Sequence, residues 1–272
     1  VIVNLDPGRY LFHYTNRLGF DGILSAHRLR LSPYEKMRDP LENHRWRFTF
    51  FGGSGPVDDA AIVREAEAQD TFEQMANDRI KKGCHLLSLT ADAEPSPGSE
   101  HEFFHRGWAR ARLWEQYAER HRGMCLVFDR ERLTRCFAES ALARSGSGGL
   151  YHRPVTYSDN GLRKPIVDKN ALEAEPGYFD RYIATHHEAL FFRKTLDWET
   201  EHEYRFVVVS QTADPPCTPL SIDYGDALTH VVAGQCLGGR ERPAFEARCR
   251  QVGAEPLRVK WKNYRVGLVP LA

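Results

Sequence analysis

At 272 residues, 42% hydrophobic, 27% charged and 11% aromatic, the chain reads as an ordinary soluble globular protein, one large domain or two small ones with a sizeable core. Lysine plus arginine and aspartate plus glutamate both number 37, so no global field steers polyanions, and only local basic patches remain for nucleic acid. No apolar run approaches the roughly 18 residues of a membrane span, and VIVNLDPGRY lacks the regions of a signal peptide.

The chain does not begin with Met, which suits a trimmed chain or the C-terminal part of something longer. Its cysteines, Cys84, Cys125, Cys136, Cys217, Cys236 and Cys249, form no CxxC pair and read as free thiols in a reducing cytoplasm.

Tyr10–Tyr14 reads as a strand, and Thr15 or Asn16 as the cap of a helix running to about His27. RLRLS alternates as a second strand, and PYEKMRDPLE is a loop because Pro33 and Pro40 interrupt any periodic element. A charged helix of about Asp59–Lys82 follows FGGSGPVDD and reads as an insertion rather than core. The expected organisation is one domain over residues 1–272 with a helical insertion at about 52–82.

CHLLSLT is a buried strand and ADAEPSPGS a loop. Glu100–Arg122 reads as one amphipathic helix with Phe104, Trp108, Ala111, Trp114, Tyr117 and Ala118 near one face and Gly123 as its C-cap. GMCLVFD is another strand and SGSGG a flexible loop. Then come a strand RPVTYS, a helix of about Tyr178–Lys194, and strands around EYRFVVVS, PLSID, THVVAG, LRVKW and VGLVPL. A helix near Arg242–Gln251 interrupts that last set. Many late strands without regular βαβ alternation predict an α+β fold with antiparallel or mixed sheets. The glycine-rich stretches match neither GxGxxG nor a P-loop, which argues against a Rossmann or phosphate-loop site.

HEFFH (His101–His105) satisfies HExxH, the spacing by which one helix face holds zinc. PSPGS directly before it leaves His101 in the first turn, so a zinc hydrolase is the least favoured reading and no metal is expected. Trp114 and Tyr117, three apart, suit core packing or a platform for a planar ligand ring. In DWETEHEYRFVVVS, a strand from near Glu201 puts Glu201, Glu203 and Arg205 on one face and His202, Tyr204, Phe206 and Val208 on a core face. The acids and arginine are either a solvated ion-pair ladder or a carboxylate oriented into a cleft. WKNYR (Trp261–Arg265) suits nucleic-acid contact or a protected strand edge.

Taken in order, LFHYTNRLGFDGILSAHRLRLS, RDPLE, LLSLT, LWEQYAERHRGMCLVFD and DWETEHEYRF resemble a prokaryotic family catalogued as domain of unknown function number 2971. The resemblance covers most of the chain apart from Asp59–Lys82 and the C-terminal stretch, and Arg38 stands where that family usually has Asn. The family in turn resembles a distant relative of the ADP-ribosyltransferases. That likeness implies an ADP-ribosyltransferase-like α+β fold, with split antiparallel or mixed sheets, flanking helices and NAD held as substrate between them.

It also implies transfer of ADP-ribose to a macromolecular acceptor (RNA, DNA or protein), in the setting of a cytoplasmic bacterial toxin or phage-defence effector. The alternative is a non-catalytic nucleotide-binding module. By the same resemblance Glu203 steadies the positive charge that builds on ribose as nicotinamide leaves, and Glu201 assists the nucleophile. His13 binds a ribose hydroxyl, Thr15 steadies the strand end, and Tyr14 or Tyr117 stacks on nicotinamide, with Trp114 beside them at the cleft wall. Arg205 or Arg38 meets the pyrophosphate with its planar fork of donors.

Overall fold

Asn16 converts the first strand into the first helix: its side chain accepts from the Gly19 N–H at 2.8 Å, satisfying a donor the helix cannot. In the computed structural model, residues 2–51, 59–94, 102–145, 149–160, 165–210, 219–262 and 265–271 are described. The elements are β1 (Tyr10–Thr15), α1 (Arg17–Ala26), β2 (Arg28–Pro33), α2 (Pro40–Asn43), β3 (Phe50–Phe51), α3 (Asp59–Gly83) and β4 (Cys84–Ala91). Next are α4 (Ala111–Gln116), β5 (Met124–Asp129), α5 (Arg130–Ser145), β6 (Leu150–Pro154), β7 (Thr156–Tyr157), β8 (Val167–Asp168) and α6 (Lys169–Ala174). The chain continues through α7 (Tyr178–Phe191), β9 (Arg193–Lys194), β10 (Glu203–Val209), β11 (Leu220–Asp223) and β12 (Leu228–Ala233). It closes with α8 (Arg242–Gln251), β13 (Glu255–Lys262) and β14 (Arg265–Pro270).

The architecture is α+β, with a large mixed sheet and flanking helices. The main path is β11-β2-β4-β1-β5-β12-β13-β14, and β10 joins β4 to β6. Its pairings are antiparallel except β12–β13, whose parallel register is reached through α8. The sheet forks at β4. One edge of that strand is covered by β10 from Cys84 to Thr90. The other edge is shared, β2 pairing at His85 and Leu86 and β1 at Thr90 and Ala91. The expected pair of separate small sheets is thus replaced by one connected sheet whose strands splay around a shared neighbour.

The strands are buried because both faces of the sheet are packed. On one side Phe20, Leu24, Phe137 and Phe245 from α1, α5 and α8 meet Leu11, Leu89, Phe128 and Phe206. On another, Trp108, Leu113 and Trp114 cover Phe12, Val127, Val232 and Val259. A third cluster joins Tyr34, Trp46, Phe48, Phe72, Ala76, Tyr182 and Phe191. It places the second half of α3 in the core, contrary to the expectation that this helix stands apart. Residues 52–58 of the expected insertion lie outside the described residues.

Several elements differ from expectation. PYEKMRDPLE, expected as a loop, carries a 3-10 turn at Tyr34–Lys36 and then α2, because Pro40 stands in the first helical turn, where its missing N–H costs nothing. The sequence reading passes over α5, whose apolar stripe amounts to Leu133 and Phe137 four residues apart, both buried. The single helix expected over Glu100–Arg122 is broken into short 3-10 turns at Glu102–His105 and Gly107–Ala109, followed by α4. Asp92 is the cause: its Oδ1 accepts from the Gly107 N–H at 2.7 Å and from Arg106 at 3.3 Å, tying the segment to the sheet. Nor is Gly123 a C-cap. A Cβ there would lie 2.3 Å from the Thr15 carbonyl oxygen, so this glycine permits close approach of two chain segments.

Candidate functional site

The fork of the sheet opens a pocket of about 500 Å³. His13 and Tyr14 of β1, Arg30 and Ser32 of β2, and Ser88 and Thr90 of β4 contribute to its wall. Glu203 and Arg205 form part of the floor. In the β4–β10 ladder Glu203 stands opposite Thr90 and Arg205 opposite Ser88, so these four side chains share one face. Lys36, Arg38, Tyr117, Lys194, Trp198 and Glu201 come from the intervening loops and short elements.

Glu201 reaches the pocket by a route the sequence pattern hides. It ends a 3-10 turn, Leu196–Glu201, and His202 then adopts the left-handed conformation at φ 42° and ψ 52°. The expected strand start near Glu201 moves to Glu203. The turn nevertheless delivers both carboxylates to one pocket, while Tyr204, Phe206 and Val208 take the core face as expected.

The floor is a chain of buried ions. Arg205 Nη1 lies 2.6 Å from Glu42 Oε1 and donates to the Phe191 carbonyl at 2.5 Å. Its Nε and Nη2 donate to Glu203 Oε1 and Oε2 at 2.7 and 3.1 Å. The Ser88 hydroxyl donates to Glu203 Oε1 as well. Lys194 Nζ bridges Glu203 Oε2 at 3.0 Å and Glu201 Oε2 at 3.2 Å, and stands 4.4 Å from the Trp198 ring centroid. The Tyr117 hydroxyl donates to Glu201 Oε1 at 3.0 Å, and the Arg38 guanidinium stacks over the Tyr117 ring at 5.9 Å. The Glu203 N–H donates to the Tyr157 hydroxyl at 2.8 Å.

Burial alone would raise the Glu203 carboxyl, but the charges of Arg205 and Lys194 outweigh it and hold the group down at about 2. Burial likewise works against the Lys194 ammonium, and Glu203 above all restores it, leaving its pKa raised. Desolvation, then Glu201, pushes the Tyr117 phenol up. His13 is lowered to about 4 by burial, against a smaller opposing hydrogen bond to the Ser88 main chain. The site therefore holds an ionised Glu203 beside a neutral His13 imidazole at neutral pH.

Of the residues singled out in the sequence, His13, Arg38, Tyr117, Glu201, Glu203 and Arg205 meet here. Four of the expected site residues are engaged as follows. Arg205 spends its donors on Glu203, Glu42 and a carbonyl, so it is an anchor of the floor and has no fork to offer a pyrophosphate. Trp114 is fully buried, gives its Nε1–H to the Trp108 carbonyl at 2.8 Å, and forms no part of the pocket wall. Tyr14 touches the pocket, but its hydroxyl is bound to the Gly107 carbonyl at 2.6 Å and its ring meets Trp114 edge-on. Thr15 is buried outside the lining.

Sequence reasoning missed Lys194, Tyr157 and the role of Glu42. Glu42 sits in the RDPLE motif, where Asp39 caps α2 by accepting from Leu41 N–H at 2.9 Å, and that motif was the available signal. Lys194 and Tyr157 carried none. His101 of the HExxH match lies outside the described residues, among which no group of three or more His, Cys, Asp or Glu could hold a metal ion. No helix among the described residues is long and apolar enough to cross a membrane.

Comparison with known protein families gives a match. A family described as protein of unknown function (DUF2971) matches residues 113–206, the segment that carries Tyr117, Lys194, Glu201, Glu203 and Arg205. The match is shorter than the resemblance expected across most of the chain, and β1 and the RDPLE loop lie outside it. No curated protein and no solved structure matches the chain. Over residues 113–206 the chain is similar to this family.

Proposed function

We propose that the pocket at the fork binds NAD as substrate and that the chain is an ADP-ribosyltransferase-like enzyme acting on a macromolecular acceptor. The observation that carries this reading is the meeting of His13, on the first strand, with Glu201, at the end of a 3-10 turn, and Glu203, at the start of β10, in one pocket. Arg30, Lys36 and Arg38 border it and form no ion pair with a described residue, which leaves their charge for a pyrophosphate.

In this reading the bond between nicotinamide and ribose breaks with its electron pair leaving on nicotinamide. Positive charge builds on the ribose, and the ionised Glu203 stabilises it electrostatically. An acceptor oxygen or nitrogen attacks the same carbon and yields its proton to Glu201. Neutral His13, already bonded to the Ser88 main chain, turns its second ring nitrogen to a ribose hydroxyl.

One observation favours a second reading, a nucleotide-binding module without chemistry. Both Glu203 oxygens already receive donors, from Ser88, Arg205 and Lys194, which spend much of the negative charge a ribosyl cation needs. Purified protein mixed with NAD separates the two when binding is followed by calorimetry and nicotinamide release by chromatography. Release supports the enzyme, binding without release supports the module, and neither result leaves the pocket assigned to the wrong ligand.

A further inference from the structure

A second basic site lies at the opposite end of the sheet. On β13 and β14, Leu257, Val259, Val266 and Leu268 face the core, so the alternate positions Arg258, Lys260, Lys262 and Arg265 stand together on the other face. Lys262 and Arg265 are directly opposite in the ladder, a like-charge pairing that destabilises a sheet. Two cavities flank this ridge, one of about 630 Å³ with Phe103 and Trp108 in its wall, the other of about 390 Å³ with Arg242, Arg258 and Trp261. Lys260 and Lys262 line both, and among the described residues no carboxylate lines either.

Arg242, Arg258, Lys260, Lys262 and Arg265 have no ion pair with a described residue, whereas Arg106, at the far wall, is paired with Asp92. Arg242 Nε and Trp261 Nε1 are buried donors without an acceptor among the described residues, and both residues line the smaller cavity. Buried donors are normally satisfied. Protection of a sheet edge accounts for exposed lysines, but not for these two donors. The N-terminal segment also already meets β14 through the Val3–Leu268 bridge.

We infer that this face binds single-stranded nucleic acid, independently of what the pocket at the fork turns over. Residues two apart on a strand stand about 6.8 Å apart, a spacing comparable to that of successive phosphates in an extended chain, so Arg258, Lys260 and Lys262 form a ladder for the backbone. The cavities on either side bring the half-buried rings of Phe103 and Trp261 within reach of the bases, as stacking platforms for single strands require. A stiff duplex meets only the ridge. A flexible strand crosses it and enters both hollows.

The test is fluorescence anisotropy of labelled single-stranded 20-mers, dT and U, with the full chain at 50 and 200 mM salt. Wild type should bind with an affinity that falls steeply with salt, the slope being about −0.7 per phosphate neutralised. The triple variant Lys260→Glu/Lys262→Glu/Arg265→Glu alters exposed side chains only, and should bind at least tenfold more weakly with a slope flatter by about two. Arg28→Glu, exposed on β2 at the other end of the sheet, should bind as wild type does. Melting temperatures check that each variant is folded, and Lys260→Gln/Lys262→Gln replaces the triple variant if reversal unfolds it. Equal binding by wild type and the lysine variant, or no binding by wild type at 50 mM salt, overturns the proposal. So does tighter binding of a duplex of equal length, or binding to phosphatidylserine vesicles but not to the oligonucleotides.

Discussion

Arg205 closes on Glu203 from two residues further along the same strand, with Nε 2.7 Å from one carboxylate oxygen and Nη2 3.1 Å from the other. The same guanidinium binds Glu42 of α2, within RDPLE, and the Phe191 carbonyl at the end of α7. One buried side chain thus ties the late strand to the early helix α2 across the pocket floor. A buried pair is weak evidence of net stability, because desolvation offsets the attraction, but losing one partner leaves the others uncompensated.

Replacing Arg205 therefore tests the floor. Arg205→Met keeps a long apolar side chain but leaves Glu203 and Glu42 buried without their main counter-charge. We expect a loss of about 3–5 kcal/mol, measured by urea unfolding at neutral pH. A loss below 1 kcal/mol would show that water or Lys194 can replace the guanidinium, and Arg205 would cease to be the anchor.

The two glutamates should respond differently to amide substitution. Glu203 accepts from Ser88, Arg205 and Lys194, so in Glu203→Gln the new NH₂ group faces donors whichever way it turns. That variant should lose stability as well as turnover. In Glu201→Gln the amide oxygen can accept from Lys194 while its NH₂ donates to the Tyr117 hydroxyl, so the fold should persist. Transfer to the acceptor should fall by about 10²–10³, with NAD affinity and slow NAD hydrolysis spared. Nicotinamide release, transfer and melting temperature measured on both variants decide it. Unchanged transfer in a folded Glu201→Gln protein removes that residue from the mechanism.

Much of this site was legible because it lies on regular elements. Period two along YLFHYT and EYRFVVV located the strands that bring His13 and Glu203 together and separated Tyr204 and Phe206 onto the core face. What periodicity could not supply was the left-handed residue at His202, since a non-glycine in that conformation carries no sequence mark. It also could not show that Arg205 is spent inside the protein, because an arginine on a strand face reads the same whether it meets a ligand or a glutamate. Trp114 and Tyr117 looked equivalent on a helix. The broken backbone before α4 and the turn after it send one inward and the other to the pocket.

Acid should weaken the fold in two stages. Burial lowers His13 and His202 to about 4, so the unfolded chain, with ordinary histidines, binds more protons below neutrality. Their contribution is complete above about pH 6.5 and is lost as pH falls toward 4, by up to about 1.4 kcal/mol per pH unit for the buried His13 and by less for His202, whose partial exposure lets solvent screen it. Glu203, depressed despite its burial, contributes above its unfolded value near 4.5 and loses that contribution between there and about 2. Melting temperature against pH for wild type and His13→Gln gives the check. The variant should show a shallower decline between pH 7 and 5, and parallel curves would mean that His13 titrates alike in the folded and unfolded chains.

Trp114 and Tyr117 should separate fold from function. Trp114 is fully buried, meets Tyr14 edge to face at 5.1 Å and satisfies the Trp108 carbonyl. Trp114→Ala opens a cavity and orphans that carbonyl, so a loss of about 3–5 kcal/mol is expected, with NAD affinity of the remaining folded protein unchanged. Tyr117→Phe keeps the ring under Arg38 and removes only the hydroxyl that orients Glu201. Its stability should fall by about 1 kcal/mol, and its NAD affinity should hold because the ring still stacks. Transfer should drop, since Glu201 keeps Lys194 but loses the contact that fixes its second oxygen. Urea unfolding, calorimetry with NAD and a transfer assay on the two variants test the division. A Tyr117→Phe protein with normal transfer, or a Trp114→Ala protein that stays stable yet loses NAD affinity, would reverse the roles assigned to the two rings.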